Sequence, residues 1–151
     1  MADDALKIGE LAKRTGSQVE TIRYYEQEGL LPAPARSDAN YRLYGPAHVE
    51  RLQFIRHCRC LDMTLDEIRS LLAFRDAPDE NCGEVNALLD QHIEHVTARI
   101  KELKALKTQL KDLRSLCQSA EAAKDCRILQ TLSTADERTP KKLGTHKGGC
   151  H

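Results

Sequence analysis

Cys82, Cys117 and Cys126 are the residues whose types and spacing point most directly to chemistry. Three thiolates with no fourth side chain in step favour a soft divalent ion, because structural zinc normally completes a tetrahedron and hard cations want oxygen. Cadmium(II), lead(II) and mercury(II) meet that description, and zinc(II) stays open. If residues 82–117 form one helix, the 35 steps between the first two thiols span about 50 Å, too far for one chain to close on an ion. Two antiparallel copies can do it: Cys82 of one chain faces Cys117 of the other, and Cys126 loops back to complete a trigonal set. The plainer alternative, cysteines serving as small buried hydrophobes, sits badly with thiols that flank polar loops and avoid the middle of the apolar seam.

The remaining candidate ligands are weaker. Cys58 and Cys60 are two apart in a predicted helix, so they point to different faces and chelate poorly; they read as structural or incidental. His92 and His95 share a helical face and, with His146, Cys150 and His151, offer an auxiliary metal site, although a solvated helix face and a disordered tail are the preferred reading. His48 and His57 receive no functional role.

An element must hold Cys82 apart from Cys117. Between them Leu89, Ile93, Val96, Ile100, Leu103, Leu106, Leu110 and Leu113 recur at steps of four and three, the seam of a coiled coil. A lone helix of this length leaves its stripe in water, so a second copy is the economical partner. The spacing predicts a dimerisation helix over 82–117, a metal-binding loop and short helix over 118–133, and a disordered tail over 134–151.

Upstream, residues 1–75 read as one small domain, joined by a linker at 76–81. Ile8, Leu11 and Ala12 form one apolar face that stops at Gly16. Ser17 and Glu20 are spaced as a capping box for a second helix, in which Val19, Ile22 and either Tyr25 or Glu26 follow at helical intervals. Residues 36–45 alternate after turn formers, which predicts a hairpin wing. Pro46 opens a third helix, with Val49, Leu52, Phe54 and Ile55 inward. Thr64 and Glu67 cap a fourth, with Leu65, Ile68, Leu71 and Leu72 buried.

Composition does not announce nucleic acid. The 151 residues hold 23 Lys+Arg against 23 Asp+Glu, with 30% charged and 4% aromatic residues, a balance that suits soluble helices. The pattern is more informative: two short helices meeting at Gly16, the second carrying Thr21, Arg23 and Tyr24, match a helix-turn-helix whose second element enters a major groove. All four tyrosines fall in the first 44 residues, interleaved with Arg23, Arg36 and Arg42, as phosphate contacts require.

Ile8-Gly9-Glu10-Leu11-Ala12, Val19-Glu20-Thr21-Ile22-Arg23-Tyr24-Tyr25-Glu26, Gly29-Leu30-Leu31, Tyr41-Arg42-Leu43-Tyr44 and Leu65-Asp66-Glu67-Ile68 together resemble the MerR family of transcription regulators, over nearly everything up to Leu132. The resemblance implies a mostly α fold: a winged helix-turn-helix, a long antiparallel coiled-coil helix and a short metal-binding loop and helix. It implies that Thr21, Arg23 and Tyr24 serve the recognition helix and that Tyr41 and Arg42 serve the wing. It also implies a homodimer on a palindromic promoter, activating RNA polymerase by distorting the DNA when the metal binds. A cysteine at position 82 marks the divalent-ion branch, and Cys82-Gly83-Glu84-Val85-Asn86 with His92-Ile93-Glu94-His95 most resembles the cadmium and lead sensors.

Two rivals are a thiol redox-sensing regulator and a cytoplasmic heavy-metal buffer. An enzyme is not expected, since no Ser-His-Asp grouping, phosphate loop or paired-carboxylate pocket is apparent. The N-terminus lacks an apolar leader run and no stretch approaches a membrane span, so the expected location is the cytoplasm, with reduced cysteines.

Overall fold

The computed structural model describes residues 5–120 and 122–134. The chain divides into two units, one reaching Val85 and one starting at Asn86. Most of the tail expected over 134–151, including His146, Cys150 and His151, lies outside the described residues.

In the first unit, α1 (Ile8–Thr15) is followed by α2 (Val19–Gln27), β1 (Ala35–Arg36), β2 (Arg42–Leu43), α3 (Pro46–Cys60) and α4 (Leu65–Asp76). Gly16 ends α1 in the left-handed region at φ 66°, and the Ser17 amide donates back to the Ala12 carbonyl at 3.0 Å. That corrects the expected capping box: Ser17 is used in closing α1, α2 opens one residue later on Gln18, and no side chain caps it. A Cβ added at Gly16 would also run into the Arg56 guanidinium, so that side chain would have to move aside. The Thr64–Glu67 capping box forms as expected, with Glu67 N donating to Thr64 Oγ1 at 3.2 Å and Thr64 N to Glu67 Oε2 at 3.0 Å.

The core collects Leu11, Ile22, Tyr25, Leu30, Tyr44, Leu52, Ile55, Ile68 and Leu72, contributed by every helix of the unit and by the wing. Leu65 and Leu71, expected to be buried, are only partly covered and pack at the core's margin. Cys58 is buried there too, and burial pushes its thiol up, which leaves an inert apolar side chain at neutral pH. Arg51 reinforces the far side: Nε donates to the Leu30 carbonyl at 2.7 Å, while one guanidinium nitrogen reaches both Asp76 oxygens at 2.9 and 3.1 Å.

The long helix α5 spans Gly83–Ser115, 33 residues, a rod of about 50 Å. Its seam is exposed, with Ile93 61%, Leu110 57%, Ile100 47% and Leu103 46% accessible. A short 3-10 turn at Ala123–Asp125 leads into α6 (Arg127–Ser133). Among the described residues no helix is long and apolar enough to cross a membrane.

Candidate nucleic-acid interface and thiol sites

The two faces of α2 are cleanly divided. Ile22 and Tyr25 point into the core, while Arg23 and Tyr24 are exposed and Thr21 is half-buried. Adjacent helical residues diverge by about 100°, which is why one tyrosine of the Tyr24–Tyr25 pair is structural and the other accessible. The structure also separates the three expected recognition residues. Thr21 and Tyr24 border a hollow with Glu20, Arg59 and Leu65, whereas Arg23 faces a cleft shared with the wing.

The wing is a two-stranded antiparallel ribbon in which Ala35 pairs with Leu43 and Arg36 with Arg42. Its loop closes through Asn40 N to Ser37 O at 2.8 Å, Tyr41 N to Ser37 Oγ at 3.0 Å, and a left-handed Asn40 at φ 63°. The ribbon is anchored at its base. Leu6 and Tyr44 exchange two backbone hydrogen bonds at 2.8 Å, and His48 accepts from Gly45 N through Nδ1 at 3.1 Å while its ring packs edge-on against Tyr44. His48, given no role from sequence, therefore ties the junction between the wing and α3.

Tyr41 stands 60% exposed with the Lys7 ammonium 5.4 Å above its ring, a cation–π contact. The cleft between α1, α2 and the wing is lined by Lys7, Lys13, Arg23, Arg36 and Arg42, with Glu10 the one acid among its lining residues. Glu10 is engaged locally, accepting the Lys7 amide at 2.9 Å. A chain of zero formal net charge thus gathers positive charge on one face, the electrostatic footprint that a polyanion requires. Lys7 and Lys13 were missed in the sequence because counting charge along the chain does not reveal which side chains converge.

In the second unit, Cys117 is half-buried two residues past α5. Its thiol donates to the Ser119 carbonyl at 3.2 Å, and its own carbonyl accepts from Arg114 at 2.8 Å. Cys126, also half-buried, is the N-cap residue of α6, and its amide donates to the Ala123 carbonyl at 3.2 Å. Cys82 is exposed immediately before α5, whose first turn is held by the Asn81 side chain accepting from Gly83 N at 2.7 Å. The donor set suits a soft ion: three accessible or partly accessible thiols, Cys82 one residue before α5 and Cys117 two residues after it. His92 and His95 stand one turn apart on α5, His92 buried and His95 exposed.

Comparison with known proteins agrees with this architecture. The model of the MerR HTH family regulatory protein matches residues 6–74, and that described as MerR, DNA binding, matches 49–113. A ZntR homolog from Haemophilus influenzae is 50% identical over 109 residues, covering 72% of this chain and 81% of the relative. The transcription regulator PbrR691 from Ralstonia metallidurans CH34, solved in complex with lead(II), is 56% identical with a TM-score of 0.72, covering 84% of this chain and 98% of that one. MerR from Bacillus megaterium MB1 in complex with mercury(II) is 32% identical, with a TM-score of 0.62 and coverage of 85% and 99%.

Proposed function

The chain belongs to the MerR family of HTH transcription regulators, and we propose that it is a metal-responsive member. The family is one of regulators, so no catalytic role is assigned. In this reading the protein acts in the cytoplasm as a homodimer on a palindromic promoter, with residues 1–75 reading DNA, α5 dimerising, and 118–133 sensing the ion. The ion is held by Cys117 and Cys126 of one subunit and Cys82 of the partner subunit, giving two sites per dimer by symmetry. Cadmium(II) or lead(II) is the favoured effector, with mercury(II) and zinc(II) as alternatives. Binding resets the angle between the two DNA-reading units, and the distorted promoter becomes competent for RNA polymerase.

The observation that carries the reading is the placement of the thiols. Cys82 precedes and Cys117 follows a 33-residue helix, whose apolar seam is exposed to the extent expected of a surface awaiting a partner. High identity to a regulator solved with lead(II) supports the choice of a soft ion. Thiolate ligation releases protons, so metal affinity should weaken as pH falls.

Complementation between chains tests the shared site. Cys82→Ser and Cys117→Ser homodimers should each lose tight cadmium(II) binding, read by the thiolate-to-metal absorption band. Mixed and re-equilibrated, they should regain one site per heterodimer. Failure of the mixture to recover any site, or full binding by a monomer, would refute the shared cage. Metal binding without any change on promoter DNA would point to a buffer, and loss of response to metal but not to oxidant would point to a redox sensor.

A further inference from the structure

We infer that Glu26 is a positioning residue for the wing, holding Arg42 in place for a DNA phosphate. Glu26 sits on the last turn of the recognition helix, and its side chain is only 11% exposed. One carboxylate oxygen accepts a hydrogen bond from the buried Tyr44 hydroxyl, and the other lies 3.7 Å from Arg42 Nε. The two partners flank Leu43, one in the second wing strand and one just beyond it. A single side chain of α2 therefore ties the recognition helix to the wing at two points.

The charge arrangement explains why such a tie is needed. Ribbon register sets Arg36 directly opposite Arg42, so two guanidinium groups share one face, and like charges in that relation destabilise a ribbon. Arg36 is occupied with the Asn40 carbonyl at 3.2 Å. Arg42, 38% exposed, has the Glu26 carboxylate beside it, which offsets the repulsion and limits the directions the guanidinium can take. A phosphate entering the cleft then meets a cation already oriented, so less side-chain entropy is lost on binding. The pair reports on α2 as well: any shift of the recognition helix moves the anchor of the wing.

The inference rests on the reading of the wing as a DNA contact, and a double-mutant cycle separates the two. Promoter affinity is measured against salt for the dimer carrying Glu26→Gln, Arg42→Ala, and both. The amide can keep its oxygen on Tyr44 while its NH2 replaces the carboxylate oxygen facing Arg42, so the ion pair is lost and the Tyr44 contact is kept. Arg42→Ala should lower the slope of log affinity against log salt by about one. Glu26→Gln should lower affinity and slope in the same direction, and the double variant should be no weaker than Arg42→Ala alone. Tyr44→Phe, which leaves the carboxylate without its second tie, should weaken the promoter complex through the same Arg42-dependent route.

If Arg42→Ala leaves promoter binding unchanged, the wing reading fails. If Arg42→Ala weakens binding while Glu26→Gln adds an independent loss with unchanged slope, Glu26 is a fold residue only and the inference is overturned. It is equally overturned if Glu26→Gln strengthens binding, since the carboxylate would then merely repel DNA.

Discussion

The first unit and the long helix that follows it bury their apolar side chains in opposite ways. In the first, Leu11, Ile22, Tyr44, Leu52, Ile55 and Ile68 are fully enclosed by their own chain, and the side chains of the cleft are held by contacts within that unit. In α5 the residues of matching hydrophobicity lie open, and the thiols stand at opposite ends of the rod. A site finished by one chain can be dissected by single substitutions; a site divided between chains answers only to substitutions read in the dimer. That contrast sets the scale of the expected effects.

The largest should come from the seam. Ile100→Asp removes burial worth about 1.5–3 kcal/mol from each of two chains, so the proposed dimer should weaken by at least a hundredfold on sedimentation while far-UV circular dichroism of the helices persists. A variant that stayed dimeric would place the interface elsewhere. Next is the core: Leu52→Ala should cost about 2–5 kcal/mol in denaturant unfolding, whereas the same truncation at Leu110 should leave the first unit's unfolding unchanged. Equal losses at both positions would erase the distinction between the two regions.

A smaller effect is expected at Arg23→Ala, which should weaken promoter binding by about 1–3 kcal/mol and leave metal stoichiometry intact. Loss of metal binding in that variant would mean that the two functions are not separable by region. The smallest concerns pH. Burial raises Tyr44, with the Glu26 hydrogen bond adding to it, and burial likewise raises Tyr25 and Cys58 above their ordinary values of 10.0, 10.0 and 9.0. Folding therefore favours the neutral forms, so this stabilisation is complete below those ordinary values and is lost as pH climbs through them toward the folded ones. The denaturant midpoint of the first unit should be flat between about pH 7 and 8 and fall above about pH 9, less steeply in Tyr44→Phe.

Much of this was legible along the chain. Helix periods, the left-handed stop at Gly16, the Thr64–Glu67 cap and the seam of α5 are encoded by residues a few positions apart, and those elements stand where expected. Locality also explains the error at Ser17: a residue between two helices can serve the end of one or the start of the other, and only the backbone trace settles which. The cleft was illegible for a related reason. Glu26 reaches Tyr44 across 18 positions, and Arg56 reaches the Thr15 carbonyl across 41.

The order of residues thus dictated which segments are helical, which face of each is apolar, and that Cys82 and Cys117 flank a long helix. All of these follow from periodicity and turn chemistry within a few residues. Packing alone decided that a neutral chain would place Lys7, Lys13, Arg23, Arg36 and Arg42 around one hollow, and that Glu26 would stand between helix and wing. Such pairings join residues distant along the chain, and no local pattern specifies them until the core beneath has closed.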